Sequence, residues 1–206
     1  MTWLHKTGAD HVIVVFGGWG IGPEATAHLN NDVDVLWVSD YRDLGTDLPD
    51  VSGYKTRSLL AWSFGVAGYL HWRNKHTVDF DRRVALCGSP CPVDRRAGIP
   101  PRIFSATRDG LTPRSFLDFL SLCYGEASFT NPDSTNIDML RSELTAVADR
   151  GNAETIRWDK VVLAVEDRIF PVANLRRAFD GQSNIQDINA PHVPFAHWNS
   201  WKDILS

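Results

Sequence analysis

Five short apolar runs and a weaker sixth are separated along the chain by segments of helical length. Short runs rich in valine, isoleucine and leucine are typical of strands buried on both faces of a parallel sheet. Because these strands alternate with helical segments, the pattern predicts the α/β class, with a mostly parallel sheet. The predicted strands are His11–Phe16, Val33–Val38, Arg57–Trp62, Val84–Cys87, Lys160–Val165 and the weaker Asn184–Ile188.

The alternation fails in one segment, at about residues 90–155, where no good strand is present. Two stretches there, 113–124 and 136–149, have helical character, and apolar residues recur at helical intervals in the second. The segment is too small to form a hydrophobic core of its own. We therefore predict a single α/β-hydrolase-like domain over residues 1–206, with a helical lid inserted above the strand ends at about 90–155.

A serine follows the third predicted strand in the sequence Ala61-Trp62-Ser63-Phe64-Gly65. A serine between a buried strand and a helix, with small residues two positions before and after it, is typical of the nucleophile elbow. The strained turn brings those two flanking positions close together, so they tolerate little side chain. Ala61 replaces the usual first glycine here, and a helix N-cap is the alternative interpretation of the serine.

A glycine-rich loop, FGGWG at residues 16–20, follows the first predicted strand. In an α/β-hydrolase this loop supplies one backbone N–H of the oxyanion hole, and the residue after the nucleophile supplies the other. The predicted donors are therefore the amides of Trp19 and Phe64. A phosphate-binding loop is the competing interpretation, but the glycine spacing does not match a dinucleotide motif cleanly and no Walker lysine follows.

Two further residues that suit a catalytic triad follow later strands, in the order serine, aspartate, histidine that α/β-hydrolases use. Asp167 comes just after the fifth predicted strand, and His192 comes after the sixth. A histidine with an ordinary pKa near ~6.5 can take the proton of Ser63, while the aspartate holds the imidazole in the required tautomer. His197 as the base and Glu166 as the acid remain alternatives.

Composition limits the class of protein further. The 206-residue chain is 43% hydrophobic and 22% charged, as expected for a folded globular domain. Its net charge of −4 argues against a general nucleic-acid binder, which is normally basic. No apolar run approaches the ~20 residues that span a bilayer, and residues 1–11 lack a secretory signal, so we expect a cytoplasmic location and no membrane partner.

The cysteine spacing raises one alternative chemistry. Cys87 and Cys91 are four residues apart, but no matching histidine or cysteine pair lies nearby to complete a metal site. They are more typical of small, buried, reduced residues. The predicted serine chemistry needs no metal ion and no organic cofactor.

Four motifs together resemble those of one family of enzymes, and the likeness extends over about residues 12–204. The motifs are FGGWG, AWSFGV, GSPCPVDRRAGIPPRIF and HVPF-x-x-W-x-x-W. The elbow and HVPF motifs are shared broadly among α/β-hydrolases, whereas the stretch at residues 88–104 is more specific. The chain resembles the BioG family of pimeloyl-[acyl-carrier protein] methyl ester esterases. The resemblance implies an α/β-hydrolase that cleaves this methyl ester in the synthesis of the biotin precursor.

The resemblance places the catalytic roles on Ser63, Asp167 and His192 and the oxyanion donors on Trp19 and Phe64. It also implies a partner, the acyl carrier protein that carries the pimeloyl methyl ester. A triad does not distinguish one ester from another. A general short-chain carboxylesterase or thioesterase, and a non-catalytic protein with the same fold, therefore remain alternatives.

An arginine-rich stretch in the predicted lid is a candidate surface for that carrier. Between Asp94 and Arg114 the chain has five arginines and two aspartates, a local balance of +3 in a chain of −4. The stretch is either a solvated helix face or a docking patch, because carrier proteins are acidic and a positive surface attracts them. The docking interpretation assigns this role to Arg95, Arg96 and Arg102.

Overall fold

A seven-stranded sheet forms the centre of the molecule. The structure, a computed structural model, describes residues 2–30, 32–125 and 136–206. The strands are β1 (Thr2–His5), β2 (His11–Phe16), β3 (Asp34–Val38), β4 (Thr56–Trp62), β5 (Arg82–Leu86), β6 (Lys160–Ala164) and β7 (Ile185–Ile188). Their order across the sheet is β1-β3-β2-β4-β5-β6-β7. Neighbouring strands are parallel except for β1 and β3, which are antiparallel.

The predicted strands are confirmed, and β1 is the one additional strand among the described residues. β2 begins and ends at the predicted residues, and the other five agree within two residues at each end. The sequence pattern does not predict β1, because four residues are too few to show a strand period. This edge strand is defined by its antiparallel pairing with β3, which is a long-range contact.

The central strands are buried on both faces, as expected for a parallel sheet covered by helices. Residues 12–16 of β2 have no exposed surface. Because β2 to β7 run in the same direction, their carboxyl ends meet at one edge of the sheet, where open α/β folds place their sites. The loops at this edge carry the candidate residues Trp19, Ser63, Asp167 and His192.

Six α-helices and two short 3₁₀ turns, Pro23–Thr26 and Phe195–His197, lie within the described ranges. The helices are α1 (Gly65–Trp72), α2 (Pro101–Asp109), α3 (Pro113–Tyr124), α4 (Ile137–Arg150), α5 (Val172–Ala178) and α6 (Trp201–Leu205). None of the described helices is both long and apolar enough to cross a bilayer.

Three of these helices, α2, α3 and α4, follow one another between β5 and β6, in the segment predicted to be helical. α3 has the predicted bounds, and α4 is N-capped by Asn136, whose side chain accepts a hydrogen bond from the Met139 amide at 3.0 Å. α2 was not predicted. This helix has nine residues, too few for a helical period to stand out in the sequence, although Pro101 is well placed to begin a helix. Residues 126–135 of the segment lie outside the described residues.

Candidate active site

Ser63 lies in a strained turn between β4 and α1. Its φ is +59°, a left-handed conformation that a non-glycine residue rarely adopts. Its backbone amide donates a hydrogen bond to the Leu86 carbonyl of β5 at 3.0 Å, which ties the turn to the neighbouring strand. This is the geometry expected of a nucleophile elbow, because the turn directs the Ser63 side chain away from the sheet.

Two glycines make room for this turn. A Cβ atom at Gly65 would lie 1.9 Å from the Phe16 carbonyl oxygen, and one at Gly88 would lie 2.1 Å from the Ser63 carbonyl oxygen. Ala61, two residues before the serine, is completely buried and its methyl group fits the core. The steric demand therefore falls on Gly65 and Gly88 rather than on position 61. Sequence reasoning missed Gly88, although a glycine directly after a buried strand is a usable signal.

The structure brings the three predicted triad side chains together. The Nε2 atom of His192 lies 2.9 Å from Ser63 Oγ, and its Nδ1 atom lies 2.8 Å from Asp167 Oδ2. The other carboxylate oxygen of Asp167 accepts hydrogen bonds from the amides of Ile169 (2.7 Å) and Phe170 (2.9 Å). Because an ionised carboxylate only accepts hydrogen bonds, the Nδ1 atom of His192 carries its proton and Nε2 is free to accept from Ser63.

Burial and aromatic contacts hold the imidazole in place. The side chains of His192 and Asp167 are 2% and 0% exposed. The indole N–H of Trp62 donates to the His192 carbonyl at 3.0 Å, and the Phe170 ring stacks on the imidazole with 5.9 Å between ring centroids. The hydrogen bond between His192 and Asp167 is therefore shielded from water, which strengthens the electrostatic interaction between the two groups.

The two alternative residues lie elsewhere. Glu166 has an exposed side chain, and its backbone amide donates to the Ala190 carbonyl. His197 is exposed in the second 3₁₀ turn. Within the described residues, neither side chain forms a hydrogen bond with Ser63 or His192.

The glycine-rich loop runs beside Ser63. Trp19 and Phe64 both line the cavity that contains Ser63 and His192. Among the described residues, neither the Trp19 amide nor the Phe64 amide donates a hydrogen bond to another protein group, so both N–H groups are available to a ligand oxygen. Gly20 turns the loop in a left-handed conformation, with a φ of +70°. A Cβ atom at this position would lie 2.7 Å from the Phe116 ring of α3.

This cavity has a volume of about 220 Å³ and an apolar wall. Ser63 and His192 line it, and its remaining surface comes mainly from the segment between β5 and β6. An apolar chain with a polar reacting group matches this lining. The apolar lining includes Ile99, Ile103, Phe104, Phe119, Leu122 and Leu144.

The three arginines of the predicted docking patch are exposed. Within the described part of the chain, none of Arg95, Arg96 and Arg102 forms an ion pair, whereas Arg108 pairs with Asp109 and Arg114 with Asp118. Two exposed arginines that the sequence argument missed extend this positive region. Arg177 of α5 donates to the Arg96 carbonyl at 3.3 Å, and Arg168 lines the active-site cavity.

The cysteines are unpaired thiols that differ in exposure. Cys87 and Cys123 are buried and Cys91 is half-buried. Burial raises the pKa of the Cys87 thiol well above its ordinary value, and the nearby Asp167 charge acts in the same direction. Cys87 is therefore protonated and a poor nucleophile, despite its position one residue after β5.

The parallel sheet and the strained serine beside a histidine–aspartate pair define an α/β-hydrolase. The fold is shared with the crystal structure of a lipase-esterase related protein from Clostridium acetobutylicum. That chain is 14% identical, with a TM-score of 0.62 and 94% and 93% of the two chains covered.

Within that class, a family model described as pimeloyl-ACP methyl esterase BioG matches residues 1–204, and the chain belongs to the BioG family. The crystal structure of BioG from Haemophilus influenzae is 26% identical, with a TM-score of 0.87 and both chains fully covered. A malonyl-[acyl-carrier protein] O-methyltransferase from Bacteroides fragilis is 27% identical over 190 residues. The match covers 87% of this chain and 39% of that protein.

Proposed function

We propose that this member of the BioG family hydrolyses the methyl ester of pimeloyl-[acyl-carrier protein] through a Ser63–His192–Asp167 acyl-enzyme mechanism. The observation that carries the proposal is the continuous hydrogen-bonded chain from Asp167 through His192 to Ser63, beside a largely apolar cavity that Ser63 and His192 line. The methyltransferase relative supports the substrate class, since its name assigns it a carrier-bound acyl group and methyl transfer to oxygen.

In the first half-reaction, Ser63 Oγ attacks the ester carbonyl carbon while His192 Nε2 takes the hydroxyl proton. The carbonyl oxygen becomes an oxyanion, which the amides of Trp19 and Phe64 stabilise by hydrogen bonds. Asp167 stabilises the imidazolium that forms. His192 then gives its proton to the departing methoxide, so methanol leaves and an acyl–Ser63 ester remains.

In the second half-reaction, water replaces methanol in the same geometry. His192 removes a proton from the water as it attacks the acyl–Ser63 carbonyl, and the same two amides stabilise the second oxyanion. The proton returns to Ser63 Oγ as the acyl–oxygen bond breaks. The product is a free carboxylate at the end of the acyl chain, and the thioester at the other end is untouched.

The apolar cavity sets the direction in which the substrate binds. The methyl ester and the carrier thioester are at opposite ends of the pimeloyl chain, so the carrier stays outside when the ester reaches Ser63. We assign the helical segment at about residues 90–155 the role of a lid over the methylene groups, because Phe104, Phe119 and Leu144 line the cavity. Burial of each methylene contributes about 0.8 kcal/mol to binding.

The positive region around the lid is the proposed docking surface for the acidic carrier. Arg102 is adjacent to the cavity residue Ile103, so a carrier bound there would lie near the entrance. Arg95 and Arg96 lie in a loop held by the Asn174 side chain of α5, which donates to the Gly98 carbonyl at 2.8 Å. A fixed positive surface accelerates encounter with an acidic partner.

The deciding experiment measures hydrolysis of pimeloyl-carrier methyl ester and of free short-chain esters by the same preparation, with Ser63→Ala as the blank. We expect a clear preference for the carrier-bound ester, and a loss of several orders of magnitude in Ser63→Ala. A fluorophosphonate probe should label the wild-type protein and not the variant. A preference for free short-chain esters would indicate a general carboxylesterase, and no labelling of wild-type Ser63 would indicate a non-catalytic protein.

A further inference from the structure

Helix α4 holds the backbone of Tyr41 from both sides. The Glu143 carboxylate accepts a hydrogen bond from the Tyr41 amide at 2.9 Å, and the Arg150 guanidinium donates to the Tyr41 carbonyl at 2.7 Å. Glu143 and Arg150 are seven residues apart, which places them on one face of the helix. The peptide groups on either side of Tyr41 are therefore attached to a helix that also contributes Leu144 to the active-site cavity.

The Tyr41 side chain reaches from this attachment point to the glycine-rich loop. Its hydroxyl donates a hydrogen bond to the Gly17 carbonyl at 2.7 Å, and the side chain is almost completely buried. The ring lies parallel to the Phe16 ring, and a Cβ atom at Gly68 of α1 would lie only 2.8 Å from it. The buried ring keeps the hydroxyl close to Gly17, and the Val38 carbonyl, at 3.4 Å, is a more distant second acceptor.

The same helix also contacts the glycine-rich loop directly, two residues after Gly17. The Trp19 indole N–H donates to the Leu140 carbonyl of α4 at 3.0 Å. Only Gly18 lies between the two attachment points, Gly17 and Trp19. Glycine has more backbone freedom than any other residue, so a loop of this composition does not hold an amide in one orientation by itself.

We propose that Tyr41 is a positioning residue, which fixes the Gly17 carbonyl and thereby directs the Trp19 amide at the oxyanion. The inference rests on the proposed function, in which the Trp19 amide is an oxyanion donor. Tyr41 acts through the loop and does not contact the substrate. The peptide between Gly17 and Gly18 carries the Gly17 carbonyl, so anchoring this oxygen restricts the rotation that would turn the next amides away from Ser63.

Tyr41→Phe tests the role because it removes one hydroxyl and keeps the packed ring. We expect kcat for the carrier-bound ester to fall about tenfold, less than the ~100-fold loss that follows outright removal of an oxyanion donor. KM should stay within about twofold, because the oxyanion forms only in the transition state. The inhibition constant of a trifluoromethyl ketone, whose serine adduct carries an oxyanion, should rise by the same factor as kcat falls.

Tyr54→Phe is the matched control. The Tyr54 hydroxyl donates to the Asp34 carboxylate at 2.6 Å, and Asp34 begins β3 at the opposite edge of the sheet from Ser63. This variant also loses a partly buried tyrosine–acceptor hydrogen bond, but we expect its kcat and its inhibition constant to match those of the wild type. Equal effects of the two variants on kcat would show general loosening of the fold and would overturn the positioning role.

The Ser63→Ala blank distinguishes failure of the positioning role from failure of the proposed function. If Ser63→Ala is inactive and Tyr41→Phe has wild-type kcat, the positioning role is wrong and the proposed function stands. If Ser63→Ala retains wild-type activity, both are wrong. Should Tyr41→Phe fail to fold, Arg150→Gln removes the donor to the Tyr41 carbonyl from a half-buried position. A smaller fall in kcat at constant KM then supports the role, and an unchanged kcat overturns it.

Discussion

Gly88 packs directly against the backbone of Ser63. A Cβ atom at Gly88 would lie 2.1 Å from the Ser63 carbonyl oxygen and 2.8 Å from its amide nitrogen. The Ser63 amide donates to the carbonyl of Leu86, two residues before this glycine. The left-handed conformation of the serine is thus supported by the neighbouring strand as well as by its own turn.

Gly88→Ala should therefore damage the site more than an ordinary glycine substitution does. The added methyl meets backbone atoms, which cannot rotate away, so Ser63 or β5 must shift. We expect a loss of at least ~1–3 kcal/mol in the free energy of unfolding, measured by urea denaturation, and a fall in kcat at temperatures where the variant is folded. Gly53→Ala is the control, since a Cβ atom there has nothing within 4 Å. Similar results for the two variants would contradict the argument.

The choice of base is tested by two alanine variants. His192→Ala removes the group that lies 2.9 Å from Ser63 Oγ, and we expect kcat to fall by ~10⁴-fold or more. His197→Ala changes an exposed residue in a 3₁₀ turn and should leave kcat within about twofold of wild type. Steady-state kinetics on the carrier-bound ester measure both, and a larger loss in His197→Ala would reverse the assignment.

The buried carboxylate of Glu143 makes stability depend on pH. Burial raises the pKa of Glu143 from 4.5 to about 7, and the Asp40 charge acts in the same direction, against the opposing effects of the Tyr41 amide and Arg42. Between these two values the folded protein binds more protons at this residue than the unfolded chain does. The Glu143 contribution to the free energy of unfolding therefore decreases as pH rises from about 4.5 to 7, and is constant above that.

Glu143→Gln should remove this dependence. The amide oxygen can still accept from the Tyr41 N–H, but the side chain no longer ionises. We expect the variant to be more stable than wild type at pH 8, by on the order of 2 kcal/mol, and the difference to be small at pH 5. Denaturant unfolding at both pH values measures this. Glu154→Gln, at an exposed position, is the control, and its free energy of unfolding should differ from that of wild type by the same small amount at pH 5 and at pH 8. A Glu143→Gln protein that is less stable than wild type at pH 8 would contradict the prediction.

Reversing Arg95 and Arg96 to glutamate tests the docking surface. We expect kcat/KM for the carrier-bound ester to fall about tenfold at low salt and less at high salt, because exposed charges act mainly on association and are screened. Activity on a small uncharged ester should barely change. Reversal of Arg73 and Arg157, two exposed arginines that line a different surface cavity, makes the same change in net charge. Equal losses in the two double variants would place the docking surface elsewhere.

Local patterns in the sequence were sufficient for the parts of this protein that short-range physics controls. Buried strands need apolar residues along their length, so six of the seven strands are visible in the sequence. A tight turn after β4 needs a small residue, and Gly65 shows it. The elbow motif, the positions after strands and the chain order suggested Ser63, Asp167 and His192. The structure brings these side chains within hydrogen-bonding distance, although their catalytic roles stay a proposal.

Contacts between distant parts of the chain were decided only by the tertiary structure. Tyr41 and Glu143 are 102 residues apart, and nothing in either local sequence predicts that a carboxylate of α4 accepts from the Tyr41 amide. The same is true of Gly88, whose need for glycine comes from the backbone of another strand. A sequence pattern records which face of an element is apolar, because periodicity is local. It does not record which partner covers that face, because the path of the whole chain determines the partner.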